Sequence, residues 1–246
     1  MIKRFETSRE FFGPVPYPID LGVVEQRANT RQECGLLNAL VSECAVEWRA
    51  IRVLDICCGR GRHLRSLSHE SIAVRLGCDF VKENLIQAQA ADHFGMFVCA
   101  ELEKLPVAAN CIEFAYCLYS SVGLDRDNLV DLFRETSRVL VTEGVFLLHY
   151  SDRGAERSCR VEFERIPGGL ALILQRVDDK WIKRTYVCFQ RKRGVSIYVM
   201  RRRRYRKSHI IQVARKNGLE VQMRRKSENH VMSDREFYLF RKVPKK

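Results

Sequence analysis

A short segment around residue 55 combines residue types suited to binding a nucleoside. The run Val53-Leu54-Asp55-Ile56-Cys57-Cys58-Gly59-Arg60-Gly61 is largely apolar up to Ile56 and then turns through two glycines. A buried strand that enters a helix through such a turn directs backbone N–H groups and the positive end of the helix dipole at one point. We therefore expect a ligand at this loop, with Gly59 and Gly61 leaving room for it.

An acidic residue after the next apolar segment supports a nucleoside ligand. Asp79 follows Gly61 by 18 residues, and a carboxylate there can accept hydrogen bonds from both ribose hydroxyls. A dinucleotide such as NAD needs Gly or Ala three residues after Gly61, but Leu64 stands there. Asp55 would also repel a diphosphate, whereas it can hold the ammonium group of an amino acid. The spacing favours S-adenosylmethionine over NAD, and capping of nearby amides is the alternative role of Asp55.

The elements that position these residues alternate along the first part of the chain. Prolines at positions 14, 16 and 18 predict an extended lead-in over residues 1–30. Strands that alternate with helices predict a parallel sheet covered on both faces. The apolar periodicity predicts strands at 51–57, 72–79, 94–100, 112–118 and 144–150, and helices at 31–49, 61–68, 81–92 and around 129–140.

The pattern changes after Ser151. Turn-forming residues then separate predicted strands at 160–166, 170–177, 181–190 and 195–205, and a helix at 207–217 precedes strands at 219–223 and 237–241. We predict an α/β fold with a Rossmann-like, doubly wound, mostly parallel seven-stranded sheet and an inserted antiparallel sheet near the C-terminal end. Three parts are expected: a lead-in with the cofactor-binding core at 1–152, the insert at 153–205, and a return to the core at 206–246.

The order of the motifs resembles class I S-adenosylmethionine-dependent methyltransferases, in particular the bacterial small-molecule type whose first motif is Asp-x-x-Cys-Gly-x-Gly-Arg-His. Residues 55–63 match that motif. Three departures are Cys57 in place of the first glycine, Glu101 in place of Asp, and Thr142-Glu143-Gly144 in place of Pro-Gly-Gly. Four further motifs follow in the family's order, at Gly77–Phe80, Glu101–Pro106, Tyr119–Gly123 and Arg138–Gly144.

The resemblance implies a role for each matching residue. It implies that Asp79 binds the ribose, that Phe80 packs on the adenine, and that Glu101 and the amide of Leu102 bind the adenine edge. Tyr119 and Ser120 would lie beside the methionine and the transferable methyl group. The methionine end would be held by Asp55, Cys57, Gly59 and Gly61.

The charge of the chain is unevenly distributed. The net charge is +13, with 16 Lys and Arg against 21 Asp and Glu in residues 1–152, and 27 against 9 in residues 153–246. A basic region of this kind usually meets an anionic partner, although a solvated surface is the alternative. Arg201 and Arg203 should project to the same side of their strand, where guanidinium groups can bind a carboxylate or phosphate.

The acceptor of the methyl group is less well defined by sequence. The insert stands where methyltransferases of the resembled type build a cover over the acceptor pocket, which favours a small, anionic molecule. Tyr119, His149 and Tyr150 are candidate bases if the acceptor must lose a proton. Nucleic acid, especially RNA, is the alternative acceptor, and a protein that binds S-adenosylmethionine without turnover is a third hypothesis.

Several other classes of protein are disfavoured. The chain has no apolar run long enough to cross a bilayer and no apolar segment near Met1 typical of a signal peptide. The ten cysteines contain no Cys-x-x-Cys pair, so we expect reduced thiols and no metal site. A cytoplasmic enzyme with no membrane partner is the prediction, and the sequence indicates no oligomeric state.

Overall fold

The structure is a computed structural model that describes residues 2–5, 23–118, 122–124, 126–151, 158–166, 168–192, 194–226 and 235–244. The chain divides into two compact units, which we call the core unit and the small unit. The core unit comprises Ala28–Ser121, Asn128–Arg153 and Arg206–Lys246, and the small unit comprises Met1–Arg27, Val122–Asp127 and Gly154–Tyr205.

The described helices and strands follow in the order β1 (Ile2–Phe5), α1 (Val23–Glu47), β2 (Ile51–Ile56), α2 (Arg62–Arg65), β3 (Ile72–Asp79), α3 (Lys82–Ala91), β4 (Met96–Cys99), β5 (Ile112–Cys117), α4 (Leu129–Val139), β6 (Leu140–Ser151), β7 (Ser158–Ile166), β8 (Gly169–Val177), β9 (Trp181–Gln190), β10 (Gly194–Arg203), α5 (Lys207–Lys216), β11 (Leu219–Lys226) and β12 (Arg235–Lys242).

A seven-stranded sheet forms the centre of the core unit. Its strand order is β11-β12-β6-β5-β2-β3-β4. Strands β6, β5, β2, β3 and β4 pair in parallel, and β12 is antiparallel to both of its neighbours. The predicted Rossmann-like, mostly parallel sheet is confirmed. Because these strands are parallel, the carboxyl ends of β2, β3, β5 and β6 lie at the same edge of the sheet.

Apolar side chains cover this sheet on both faces. On one face, Leu37 and Val41 of α1 pack in a cluster with Phe114 and Leu147, all buried. We call this side the α1 face. On the other face, the ring of Phe133 in α4 lies 6.0 Å from Phe146 and 5.2 Å from Phe240. Coverage of both faces explains why all six residues of β5 are buried, rather than alternate ones.

The first helix begins earlier than predicted. The extended lead-in was expected to reach residue 30, but α1 begins at Val23. Pro18 is the last proline before this helix, so nothing in residues 23–30 prevents helical hydrogen bonding. The strand predicted from residue 144 also begins earlier, at Leu140, directly after α4.

The small unit contains a five-stranded sheet of order β1-β10-β9-β8-β7. Four consecutive strands, β7 to β10, pair antiparallel as an up-and-down meander, which confirms the predicted antiparallel insert. Strand β1 adds to the edge of β10 in parallel, a pairing that the sequence did not predict. One face is buried around Ala171, Ile173 and Tyr186. No helix in the described ranges is long and apolar enough to cross a membrane.

Candidate cofactor site

Asp55 lies on the α1 face of the sheet, one residue before the end of β2. In the strand register it is directly opposite Gly77 of β3 and Tyr116 of β5. Directly paired residues project to the same face of a sheet, so the carboxylate of Asp55 and the ring of Tyr116 share one environment. Asp55 is 1% exposed and Tyr116 is completely buried. A carboxylate in this position is held inside the protein rather than in solvent.

The surroundings of Asp55 disfavour its charge. Burial raises its pKa well above the ordinary value of 3.8, the nearby hydroxyl of Tyr116 lowers the pKa, and the neighbouring Asp79 raises it again. The Asp55 Oδ2 atom and the Tyr116 hydroxyl are buried and make no hydrogen bond of normal geometry with the described residues. The site therefore contains an acceptor and a hydroxyl whose hydrogen-bonding capacity is available to a polar or cationic ligand group.

The loop after β2 contains three residues with left-handed backbone geometry. Cys57 has φ 62°, Gly59 has φ 54° and Gly61 has φ 69°. Glycine adopts such angles without steric cost, whereas a residue with a Cβ atom is disfavoured by about 1–2 kcal/mol. Cys57 stands where relatives of the resembled type carry glycine, so this departure from the motif falls at a strained position.

The amides of this loop are largely satisfied within the protein. Cys58 N donates to Cys78 O at 3.0 Å, Gly59 N donates to Asp79 Oδ2 at 2.9 Å, and Gly61 N donates to Cys58 O at 3.0 Å. The expectation that these N–H groups point together at an anionic ligand is therefore wrong for these three. The fold uses them to close the loop onto β3. A loop closed in this way is poorly suited to a diphosphate and suits a cofactor without phosphate groups.

The two glycines of the loop serve different purposes. A Cβ atom at Gly59 would have no heavy atom within 4 Å, so this residue borders open space. A Cβ atom at Gly61 would lie 2.9 Å from Cε1 of Phe97 and 3.2 Å from Cβ of Ala88. Gly61 therefore allows close packing against β4 and α3 instead of leaving room for a ligand, and a ligand beside Gly59 stays a prediction.

Asp79 connects the loop to the end of β3. Its Oδ2 accepts from Gly59 N and its Oδ1 accepts from Val81 N, both at 2.9 Å. Burial raises the pKa of Asp79, while these amide hydrogen bonds lower it. Each carboxylate oxygen accepts through a second lone pair, so a ribose hydroxyl can still be bound. The amide bonds fix the side chain in one orientation before any ligand arrives.

The residues predicted to contact adenine border Asp79. Phe80 follows it directly and is half-buried, and Leu102 is buried. Glu101 is exposed, and its charge acts on the pKa of Asp79, so the two carboxylates are near neighbours. Ala100 N donates to Asp79 O at 2.9 Å, which holds this segment beside the end of β3. The structure thus brings the predicted ribose and adenine residues together at one edge of the sheet.

Sequence reasoning missed Glu33, which lies on α1. Its Oε2 is 2.7 Å from His63 Nε2 and 3.3 Å from Arg62 Nη2. Glu33 and His63 are each 4% exposed. Glu33 precedes Leu37 by one helical turn, so an acidic residue on the apolar stripe of α1 was the available signal.

The surroundings of Cys58 and Cys78 disfavour their thiolate forms. Burial, the largest effect, raises the pKa of Cys78 to about 12 and raises the pKa of Cys58 further. Asp55 and Asp79 add to both shifts. Both side chains therefore act as small apolar groups. Among the residues placed by the structure, no group of three or more His, Cys, Asp or Glu could hold a metal ion.

The residues predicted to contact the acceptor are dispersed. Tyr119 and Ser120 lie outside the described residues. His149 and Tyr150, near the end of β6, are buried. As consecutive strand residues they project to opposite faces. His149 is two residues beyond Leu147, so it shares the α1 face with Asp55 and packs 5.1 Å from the ring of Phe237.

The two predicted arginines of the small unit differ in their surroundings. Arg203 Nε is 3.7 Å from Asp127 Oδ2, and its guanidinium lies 5.4 Å from the ring centroid of Trp181. Arg201 is exposed, directly opposite Lys183 on the neighbouring strand. Arg203 is thus occupied by contacts within the small unit.

Comparisons with known proteins agree with this fold. Residues 53–144 match a family described as a methyltransferase domain. The fold is similar to the CcbJ methyltransferase of Streptomyces caelestis, with a TM-score of 0.71, 16% identity, and coverage of 88% of this chain and 90% of that chain. An S-adenosylmethionine-dependent methyltransferase from Clostridium acetobutylicum gives a TM-score of 0.69 at 16% identity, with coverage of 84% and 91%.

A third similar structure is S-adenosylmethionine-bound CalS10, an amino pentose methyltransferase from Micromonospora echinaspora. It gives a TM-score of 0.67 at 13% identity, and the match covers 92% of this chain and 98% of that chain. No curated protein matches the sequence. The matched segment is a methyltransferase domain, and the fold is similar to that of Rossmann-like methyltransferases.

The residues present fit S-adenosylmethionine. The open face at Gly59 leaves space beside the loop, and the unpartnered Asp55 Oδ2 is an acceptor suited to an ammonium group. Asp79 retains lone pairs for ribose hydroxyls, and the closed loop amides offer no cradle for a diphosphate. This donor and acceptor set matches an amino-acid nucleoside better than a dinucleotide.

Proposed function

We propose that this protein transfers a methyl group from S-adenosylmethionine to a small-molecule acceptor. The observation that carries the proposal is the arrangement around Gly59. Its amide is held by the buried carboxylate of Asp79, and its open side faces the space available to a ligand. A fixed carboxylate next to an open glycine is a preorganised nucleoside site.

The cofactor residues have separate roles in this proposal. Asp55 holds the ammonium of the methionine moiety, and Cys57, Gly59 and Gly61 shape the loop beside it. Asp79 binds the ribose hydroxyls, and its orientation is set by Gly59 N and Val81 N. Contacts to the adenine come from Phe80, Glu101 and Leu102, and Tyr119 adds a further contact near the methionine.

Methyl transfer in this proposal depends on positioning of the acceptor rather than on a strong base. When bound, S-adenosylmethionine supplies an electrophilic methyl group on a sulfonium. The protein holds the acceptor in line with that group, which is an efficient way to lower a displacement barrier. His149 is the better-placed candidate base, because it shares the α1 face with Asp55, whereas Tyr150 projects to the opposite face.

The nature of the acceptor is suggested by two observations. Among similar folds, one protein is an amino pentose methyltransferase and another is a sugar N-methyltransferase, which favours a small polar acceptor here. The small unit also carries a row of cations, because Arg176, Lys183 and Arg201 are directly opposite one another on β8, β9 and β10. Like charges in such a row repel, so an anionic group on the acceptor would relieve the repulsion.

The same cationic row favours a second candidate, an RNA acceptor. Arg176 and Arg201 are exposed, and phosphate contacts of this kind make binding strongly salt-dependent. The two candidates differ in one property. A small anionic acceptor engages one or two cations, whereas RNA engages many and spreads along the basic surface.

Labelled methyl transfer distinguishes these functions. The purified protein is incubated with methyl-labelled S-adenosylmethionine and either a small-metabolite extract or total RNA. Label in a small molecule supports the proposal, and label in RNA supports the second candidate. Binding of S-adenosylmethionine without label in either extract would favour a protein that binds the cofactor without turnover.

A further inference from the structure

Glu33 lies outside every motif discussed above, yet it is one of the most buried charged residues in the described chain. It lies on α1, and the residue that it contacts, His63, is the second residue of α2. The two side chains join at 2.7 Å. We propose that Glu33 is a positioning residue for the cofactor loop, acting through His63 and Arg62. This inference rests on the proposed function, because it assigns a role toward the same cofactor site.

The cofactor loop needs an anchor from outside its own helix. Helix α2 spans only Arg62–Arg65, and Gly61, the residue before it, provides no side-chain cap. One turn of helix is too short to be stable by itself. The contact from Glu33 to His63 fixes the first turn directly after Gly61, so it also fixes the direction in which the loop leaves β2.

Burial of a polar contact such as that between Glu33 and His63 costs desolvation free energy, which burial of an apolar contact does not. Glu33 and His63 are both 4% exposed, and the Glu33 Oε1 atom is buried without a hydrogen-bond partner among the described residues. Replacement of a buried polar pair by apolar residues is often neutral or stabilising. The pair is therefore better explained by orientation of the loop than by stability of α1.

A charged partner of Glu33 also acts on the cofactor site. Arg62 lies 3.3 Å from Glu33 and also lowers the pKa of Asp55. The ring of His63 lies 6.3 Å from the ring of Tyr116 in an edge-on arrangement, and Tyr116 is the cross-strand neighbour of Asp55. Loss of Glu33 would thus remove one contact from Arg62 and one from His63 at the same time.

Helix α1 and the cofactor are consequently coupled. A ligand that binds the ordered loop also stabilises the contact between Glu33 and His63. Because such coupling is reciprocal, loss of that contact weakens ligand binding by the same free energy. The coupling predicts a loss of affinity for S-adenosylmethionine when Glu33 is replaced.

The test compares Glu33→Leu, Glu33→Gln and the control Glu43→Gln, an exposed position of the same helix. Amide hydrogen exchange of the ligand-free proteins is measured at residues 58–61 and, for reference, in β5. We expect Glu33→Leu to speed exchange in the loop about tenfold more than exchange in β5, because loss of one partner of a buried pair also lowers global stability. Glu33→Gln keeps an oxygen acceptor for His63 and should restore most of the protection, and Glu43→Gln should match the wild type.

Calorimetric titration with S-adenosylmethionine gives the second readout. Affinity should fall about tenfold in Glu33→Leu, and His63→Phe combined with it should cause little further loss, because both act through one contact. Unchanged loop exchange in Glu33→Leu, or equal acceleration in the loop and in β5, would overturn the inference. Failure of the wild type to bind S-adenosylmethionine would refute the proposed function instead. The exchange data would still test whether Glu33 orders the loop.

Discussion

The carboxylate of Asp79 accepts the amide hydrogen of Gly59 at 2.9 Å, across the gap between the ends of β3 and β2. This contact joins the residue predicted to bind ribose to the glycine that borders open space. In the proposed site, one side chain therefore shapes the loop and also contacts the ligand. The consequences of changing it can therefore be separated into a structural part and a binding part.

Replacement of Asp79 by Ala should abolish cofactor binding and also weaken the fold. Two amide hydrogen bonds to a charged group are lost, from Gly59 and Val81, which costs about 1.5–3 kcal/mol each at most. Calorimetry should detect no binding of S-adenosylmethionine, and denaturant titration should show lower stability. The matched control is Glu83→Gln, an exposed acid at the start of α3, which should change neither quantity.

Replacement of Asp55 by Asn should stabilise the ligand-free protein while it weakens cofactor binding. Burial raises the pKa of Asp55 above its ordinary value of 3.8, so ionisation opposes folding. The wild type therefore loses stability as pH rises from about that value through the pKa in the folded state. Asn removes this loss, and the stability difference between variant and wild type should grow with pH. Denaturant titrations between pH 4 and 8 check the sign, and a difference that shrinks with pH would refute this reading of the site.

Alanine at Gly59 and alanine at Gly61 should have different effects. Both residues have positive φ, so both substitutions strain the backbone by about 1 kcal/mol. At Gly61 the new methyl group would also lie 2.9 Å from Phe97, so Gly61→Ala should lower the unfolding temperature more. Gly59→Ala should mainly reduce affinity for S-adenosylmethionine, because its methyl group enters the open space. Equal effects of the two substitutions on both measurements would count against the separate roles.

Replacement of Cys57 by Gly should stabilise the protein. Cys57 has φ 62°, and relief of this angle is worth about 1 kcal/mol, or about 2–4 °C in the unfolding temperature of a protein of this size. Cys57→Ala keeps the strain and is the control, so it should show no gain. If Cys57→Gly loses stability, the side chain of Cys57 contributes more through its contacts than its backbone angle costs.

Glu135 should make stability depend on pH in the opposite direction to Asp55. Hydrogen bonding from Arg138, the largest effect, lowers the pKa of Glu135, and the amide of Leu105 adds to the shift. Its contribution to stability is complete above the ordinary value of 4.5 and is lost as pH falls through the lower folded-state pKa. Glu135→Gln should therefore reduce stability at pH 7 and should lose part of the acid sensitivity of the wild type. Equal acid sensitivity in both proteins would show that Glu135 is not the titrating group.

Much of the fold was predictable because apolar segments mark the core strands and turn-forming residues separate them. Strand β3 was predicted with the bounds observed, Ile72–Asp79, and Asp178-Asp179 marked the turn between β8 and β9. The pairing of β1 with β10 was not predictable, because it joins segments that are far apart in sequence. The same reason explains why the contact from Glu33 to His63, between two helices, was missed.

The candidate site was predictable as a set of residues but not as a set of contacts. Motif spacing placed Asp55, Gly59 and Asp79 at one edge of the sheet. It gave no sign that Asp79 would take the amide of Gly59, or that Gly61 would be needed for Phe97 rather than for a ligand. Such assignments depend on distances between strands, which a sequence pattern does not contain.

We propose that the loop after β2 and the carboxylate of Asp79 form a site for S-adenosylmethionine. Isothermal titration of the wild-type protein with S-adenosylmethionine, its demethylated product and NAD measures whether they do. We expect micromolar binding of the first two, no binding of NAD, and loss of all binding in Asp79→Ala. Binding of NAD in preference to S-adenosylmethionine, or undiminished binding by Asp79→Ala, would refute this site.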